Sequence, residues 1–292
     1  MHYHKEKNHL VIEIDERIQG MTLLEFFHYL HLSKKTIHLL RQNKDYTYVD
    51  YQTILKDKDI LSIKAYEQGR DFIEEESSLE IIYEDDLLCV VNKPSNLIIH
   101  PDDKSKKNTL CNYVSYYYQQ SYQDLPIRYL HRLDRDTTGL VMFCRCALLQ
   151  PYFDALIASK EIKKTYLAII QGHLPKREIT IDLPIGQDRH SKNKMCISKT
   201  GKDALTHFKE IKTKGNYTLV KCQIETGRKH QIRVHLNHLH HPIIGDTLYG
   251  KTSSMIKRMA LHAYCLEFIH PLTYQTIKIE CLLPFDMEKI VR

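Results

Sequence analysis

The chain has 292 residues, 42% hydrophobic and 27% charged, a balance typical of globular proteins that sets aside disordered and fibrous classes. That length exceeds one typical domain, so one large domain or two unequal ones are expected. A formal net charge of +6 permits a polyanionic partner without requiring one.

No apolar run is long enough to span a bilayer, and Met1–Lys5 lacks the apolar core of a signal peptide. A cytoplasmic location with no membrane partner is therefore expected. The eight cysteines show no Cys-x-x-Cys pair and no disulfide framework. Cys144 and Cys146 share one face of a strand, as buried free thiols do.

Residues 9–16 read as a short strand. From Met21 the period becomes helical, with Leu23, Leu24, Phe27 and Leu30 in one apolar stripe. Ser33 is placed to cap a second helix, Lys34–Arg41, and Tyr46–Asp50 and a strand at Asp59–Ile63 follow. The basic face Lys34, Lys35, His38 and Arg41 either meets phosphates or is the solvated side of the helix. Residues 67–78 are polar and acidic, as in a linker, and a boundary near residue 75 divides the chain into 1–75 and 76–292.

The larger part opens with Leu79–Asp86 and a buried-strand run, Leu87–Val91, ended by Asn92-Lys93-Pro94. Leu97–Pro101 follows as a strand, Asn96 tolerates positive φ, and Lys93 reads as a surface lysine. Thr109–Gln120 has helical character, and its four tyrosines either stack on bases or line a partly buried helix.

The stretch from Tyr129 to Val141 then packs two carboxylates and two guanidinium groups into residues 132–136, before Thr137-Thr138-Gly139 and an apolar run. It reads as a tight loop entering a buried strand, or as a solvated turn of mixed charge. A carboxylate held beside guanidinium groups favours its ionised form, which a nucleophile or electrostatic stabiliser needs.

A helix is expected at Pro151–Ser159 and a strand through Lys160–Ile170, by pattern an edge strand with solvated lysines. Residues 186–214 are rich in cations and suit a mobile basic loop that tracks phosphates, with a solvated hairpin as the alternative. In Glu225–Leu236, Thr226 is expected to cap a helix starting just after Gly227, with His230 and Arg233 on one face. The five histidines at 230, 235, 238, 240 and 241 come without acidic ligands or a His-Glu-x-x-His pattern, so no metal is expected.

The string from His131 to Gly139 resembles the His-Arg-Leu-Asp-x-x-Thr-Ser-Gly signature of the RluA family of RNA pseudouridine synthases, with Thr138 for the usual Ser. Asn92-Lys93-Pro94, Lys164-Thr165-Tyr166, Thr226–His235 and Pro242–Gly250 are similar to further motifs of that family. The resemblance covers residues 79–292 closely and 17–66 loosely. The latter part is similar to the small RNA-binding domain of certain ribosomal small-subunit proteins. It is degenerate, with Val49-Asp50-Tyr51 for Val-Asn-Gly and Lys58 for a Gly before the closing strand.

The resemblance implies an α+β fold: a mixed, mainly antiparallel sheet with flanking helices, plus a small N-terminal α/β RNA-binding module. It implies a monomeric isomerase that converts uridine to pseudouridine in structured ribosomal or transfer RNA, without cofactor or metal. Asp134 is then catalytic, Arg233 pairs with it, Tyr166 lies against the target base, and Lys164 joins the site. Arg132 is expected to fill the space the uridine vacates. His131, Arg228 and His230 belong to the substrate-binding motifs, and Arg189 and Lys192 to the RNA-tracking segment. The alternative is an RNA-binding or ribosome-assembly factor that keeps the fold without essential catalysis.

Overall fold

The computed structural model describes residues 1–48, 50–101 and 106–292. Val49, part of the expected turn after the second helix, lies outside the described residues.

The N-terminal module contains β1 (His2–Glu6), β2 (His9–Glu13), α1 (Leu23–Tyr29), α2 (Lys34–Asn43) and β3 (Ile60–Lys64). Its strands form an antiparallel sheet in the order β1-β2-β3. Thr22 and Glu25 close a capping box at α1, and Ser33 Oγ accepts the Thr36 N–H at α2. Of the expected stripe Leu23, Phe27 and Leu30 are inaccessible, but Leu24 is only half-buried and Phe26 takes its place in the core. β1 escapes the sequence pattern because His2-Tyr3-His4-Lys5-Glu6 has no continuous apolar face to betray a strand. Lys58 takes φ +65, the conformation that a glycine supplies at no cost.

The rest of the chain builds one ten-stranded sheet. Its elements are β4 (Glu80–Glu84), β5 (Leu88–Lys93), α3 (Leu110–Gln120), β6 (Arg128–Tyr129), β7 (Thr138–Cys144), α4 (Gln150–Ala158) and β8 (Lys163–Gln171). There follow β9 (Glu178–Asp182), β10 (Ile185–Gln187), β11 (Met195–Ile197), β12 (Leu205–Lys214) and β13 (Tyr217–Ile224). Last come α5 (Gln231–His238), β14 (Leu261–Ile269), β15 (Thr276–Glu280) and α6 (Phe285–Val291). The sheet runs β4-β5-β7-β14-β8-β13-β12-β9, with β15 on β14 and β6 on β7, while β10 and β11 form a separate hairpin. All its pairings are antiparallel except β7 with β14. The fold is therefore α+β with a mainly antiparallel sheet, as expected.

Several expectations need correction, beginning with Leu97–Pro101, which is no strand and holds only an isolated bridge from Ile98 to Thr109. β8 lies between β14 and β13, so it is an interior strand and its lysines cannot all face solvent. The segment after residue 185 is a closed hairpin: Asp188 N–H and Gln187 Nε2 both donate to the Lys194 carbonyl, and Gln187 Nε2 also reaches the Ser191 and Lys192 carbonyls. Finally, α5 begins at Gln231, with His230 as its N-cap. Thr226 does not cap it, because its hydroxyl donates to Gln231 Oε1 instead.

Residues 65–79 run without helix or strand, yet they are held down: Asn112 Nδ2 and Ser115 Oγ of α3 donate to the Ile73 and Phe72 carbonyls. The module docks on the β14–β15 turn, where Tyr29 Oη donates to Pro271 O and Arg17 to Thr273 O, both at 2.9 Å. One apolar core runs from Leu10 and Phe26 in the module to Leu88, Phe143 and Phe268 in the large sheet.

β7 is buried at all seven positions and carries the loop of interest on its N-terminal end. It pairs in parallel with β14 through Gly139 and Ala263. Gly139 has φ +107, and a Cβ there would lie 2.2 Å from the Ala263 carbonyl oxygen. Gly20 has φ +86 with open space around it. Urea unfolding separates conformational strain from close approach. Gly20→Ala should cost about 1 kcal/mol, whereas Gly139→Ala adds a backbone clash and should cost more than about 3 kcal/mol.

Candidate active site

The loop between β6 and β7 is held from several sides. The Thr137 N–H donates to the Asp134 carbonyl, closing a turn, and the Leu97 N–H donates to the Arg135 carbonyl. Lys93 Nζ donates to the carbonyls of Pro94, Leu97 and Arg135 at 2.8, 2.8 and 2.9 Å. Lys93 is wholly inaccessible, which overturns its reading as a surface lysine. Three carbonyls matching three ammonium N–H bonds make its burial tolerable. Asn96, at φ +58, turns the chain so that the Leu97 carbonyl meets this amine.

Asp134 projects from that loop with 28% of its side chain exposed. Arg233 Nη1 donates to its Oδ2 at 2.8 Å. The same guanidinium donates through Nε and Nη2 to both oxygens of Asp246, at 2.8 and 2.9 Å. Asp246 is 1% exposed and also accepts the Leu248 and Tyr249 N–H bonds. Burial opposes the charge on Arg233, but Asp246 and then Asp134 outweigh it and raise its pKa. Gly245 makes the approach possible: it takes φ +74, and a Cβ there would lie 2.0 Å from the Arg258 carbonyl oxygen.

Tyr166 and Lys164 sit two residues apart on β8 and line the same cleft. Burial, and then the Asp134 carboxylate, push the Tyr166 phenol up, so it keeps its proton at neutral pH. Burial lowers Lys164. His131 also lines the cleft, but its Nε2 accepts the Met142 N–H, and burial followed by Lys164 brings it down to about 3. It is a neutral wall residue. Arg132 and Arg228 are exposed at the rim, and Arg228 Nε donates to the Asp203 carbonyl. His230 stands with Nε2 3.8 Å from Asp134 Oδ1.

These residues surround an open cleft of about 740 Å³, with an apolar flank at Ile98, Ile157 and Ile162. A recess of about 80 Å³ shares Asp134, Tyr166 and His230 with it and reaches Arg233. The structure thus gathers Asp134, Tyr166, Arg233, Lys164, His131, Arg132, Arg228 and His230, and leaves Arg189 and Lys192 outside, exposed at the hairpin turn. Sequence reasoning missed Asp246 and Tyr249 as functional groups and misjudged Lys93. Asp246 sits in a Gly-Asp turn, where carboxylates ordinarily serve their own backbone. Its grip on a distant arginine has no local signal.

The arrangement offers an ionisable carboxylate aimed by a guanidinium, a buried phenol and a cationic rim, which suits chemistry on a polyanion. Comparison with known proteins agrees. The family described as RNA pseudouridylate synthase matches residues 87–238, and the RluD ribosomal pseudouridine synthase N-terminal domain matches residues 10–61. The chain is 38% identical over 242 residues to "Uncharacterized RNA pseudouridine synthase YhcT" of Bacillus subtilis (strain 168), covering 82% of this chain and 80% of that protein. It is 32% identical over 267 residues to "Ribosomal large subunit pseudouridine synthase D" of Haemophilus influenzae, covering 87% and 82%. Among solved structures, Human RNA Pseudouridylate Synthase Domain Containing 1 superposes with a TM-score of 0.61 at 26% identity, over 73% of this chain and 87% of that one.

Lys93 gives a direct test of how the loop is held. Burial brings its pKa down to about 7, with Asp136 and Asp134 opposing. Between that value and about 10.4 the unfolded chain binds the extra proton, so this group makes stability rise with pH in that window. Lys93→Met strands three carbonyls and should cost on the order of 3 kcal/mol at pH 7. In urea titrations at pH 7, 8 and 9, the gap between wild type and Lys93→Met should widen with pH.

Proposed function

Because the chain belongs to the RNA pseudouridylate synthase family and isomerises uridine to pseudouridine in RNA, we propose that its substrate is a structured ribosomal RNA and that Asp134 is the catalytic carboxylate. The single observation that carries the second part is the Arg233 guanidinium, which spans Asp246 and Asp134 and orients one carboxylate at an open cleft. Ribosomal RNA is favoured by the relatives named for the large ribosomal subunit and by the N-terminal match, whose description names a ribosomal pseudouridine synthase.

The reaction breaks the uracil N1–C1′ bond and makes a C5–C1′ bond on the same ribose. The C5 proton leaves, and N1 gains a proton. An ionised carboxylate at C1′ assists departure of the base, as carboxylates do at the anomeric carbon in glycoside hydrolysis. In this reading the Tyr166 ring walls the base and its hydroxyl relays the C5 proton, accepting it at oxygen as its own proton passes to water. The uridine leaves its stack to reach the cleft, at a cost of a few kcal/mol, and Arg132 at the rim fills the vacated space. Lys164, His131, Arg228 and His230 line the bound nucleotide, while Arg189 and Lys192 follow the backbone beyond it. The steps call for no cofactor.

We further propose that residues 1–75 and 76–292 act as RNA-binding module and catalytic domain of a cytoplasmic monomer. Among the described residues, no helix is long and apolar enough to cross a membrane.

Tritium release from RNA labelled at uracil C5 tests the carboxylate: wild type releases it, and Asp134→Asn should fall to background. Equal release from both would remove Asp134 from the chemistry. Chemical mapping of pseudouridines in total RNA, with and without the protein, identifies the RNA and the uridine. Arg233→Ala should slow turnover about a hundredfold, the usual scale for losing one preorganised electrostatic partner, with RNA affinity nearly intact. Arg189→Ala with Lys192→Ala should do the reverse, reducing the slope of log affinity against log salt by about 1.5 while saturated turnover persists.

A further inference from the structure

Tyr249 belongs to the Pro242–Gly250 motif, but neither that motif nor the proposed chemistry gives it a role. Its hydroxyl accepts the Met195 backbone N–H of the β10–β11 hairpin at 2.8 Å. It also lies 2.9 Å from His230 Nδ1. A phenol has one proton, and the Met195 bond needs none of it. The O–H is thus free to donate to Nδ1, and in that arrangement Nδ1 is an acceptor and the single ring proton of a neutral His230 sits on Nε2. That nitrogen faces Asp134 Oδ1 at 3.8 Å, too long for a hydrogen bond in the free protein but well placed to aim a dipole. Asp134 Oδ2 is already held by Arg233. The Tyr249 ring is itself wedged, with the Arg233 guanidinium 5.0 Å and Lys194 Nζ 5.8 Å from its centroid. The His230 ring stands edge-on to it at 86°. His230 reaches this place only by taking φ +59 at the N-cap of α5, a conformation histidine tolerates better than most residues.

We propose that Tyr249 and His230 are positioning residues for Asp134: Tyr249, anchored on the β10–β11 hairpin, sets the tautomer of His230, whose Nε2–H then steadies Asp134 Oδ1 opposite Arg233. The consequence is that the hairpin bearing Arg189 and Lys192 is linked through Tyr249 and His230 to the side of the carboxylate that Arg233 leaves open. This rests on the reading of Asp134 given above and extends it to the groups that hold the carboxylate in place.

The charged and titratable groups facing His230 are Asp134 from the β6–β7 loop, Arg233 on its own helix, Lys229 before it, and Asp246 and Tyr249 from the turn after α5. Burial favours the neutral ring, Asp134 opposes this, and Arg233 and Lys229 reinforce it. With Nδ1 occupied by the phenol, protonation requires the Tyr249 hydroxyl to give up its bond. In Tyr249→Phe that obstacle disappears, so the ring takes a second proton at higher pH and competes with Arg233 for Asp134.

The test has two independent readouts. The first is single-turnover tritium release from C5-labelled total RNA of a strain lacking the protein, with enzyme in excess. Tyr249→Phe should lower the maximal rate about tenfold, leave the half-saturating enzyme concentration within twofold, and lose activity on the acid side where wild type keeps it. The second is the ring ¹⁵N spectrum of histidine-labelled wild type, with His230 assigned by its loss in His230→Asn. It should show Nδ1 as an acceptor and Nε2 protonated. A wild-type ring protonated on Nδ1, or a Tyr249→Phe enzyme with unchanged maximal rate and pH profile, would overturn the proposal. Should Tyr249→Phe not fold, the wild-type spectrum decides alone. If wild type released no tritium while the tautomer came out as stated, the failure would belong to the proposed reaction, not to the arrangement of Tyr249 and His230.

Discussion

A single guanidinium divided between two carboxylates organises this molecule. Asp246, buried and saturated with hydrogen bonds, takes two edges of Arg233 and leaves Nη1 for Asp134. Lysine could not do this, because a point-like ammonium lacks the planar fork that serves two carboxylates in fixed directions. The pairing also closes the fold, since its members come from the β6–β7 loop, α5 and the turn after it. Removing one partner of such a buried cluster leaves an uncompensated charge, which is far costlier than the net worth of the bridge.

The charges around this cluster are layered. Arg233 against Asp134 and Asp246 leaves one formal negative charge, and His131 within the cleft wall stays neutral. The inner layer is Lys93, a base weakened by burial, whose amine reaches the Arg135 carbonyl next to Asp134 without entering the cleft. The outer compensation is the exposed rim of Arg132, Arg228 and Lys229. A polyanion thus meets positive charge first and the lone carboxylate last. That order favours docking of a phosphate backbone without neutralising Asp134 beforehand.

How much of this was legible in the sequence depended on the range of each interaction. Ser33 and the Leu23–Leu30 stripe act within one or two turns of helix; Ser33 stands where the pattern put it, and the stripe does so except that Phe26 replaces Leu24 in the core. Asn96 was legible because its αL geometry is a property of the residue itself. The Asp134–Arg233 pair spans 99 positions, and only the family resemblance reached that far. Lys93 was misjudged because a lone lysine at a strand end looks solvated, and its three carbonyl partners are set by turns that no periodicity encodes. The start of α5 was misplaced for a related reason: Thr226 looks like a cap, but Gln231 claims its hydroxyl, and His230 enters the helix from the left-handed region. The interior place of β8 was missed because strand order leaves no mark on a strand's own residues.

The continuous apolar core between the N-terminal module and the large sheet has a thermodynamic consequence. Leu10, Phe26 and Leu61 lie in the same cluster as Val90, Met142 and Phe268, and the rings of Tyr29 and Tyr152 meet across the junction at 5.6 Å. Two lobes that share a core in this way melt together, since neither can lose its packing without exposing the other's apolar face to water. A chain cut between them would therefore leave two sticky halves, prone to self-association, in place of two independently soluble parts.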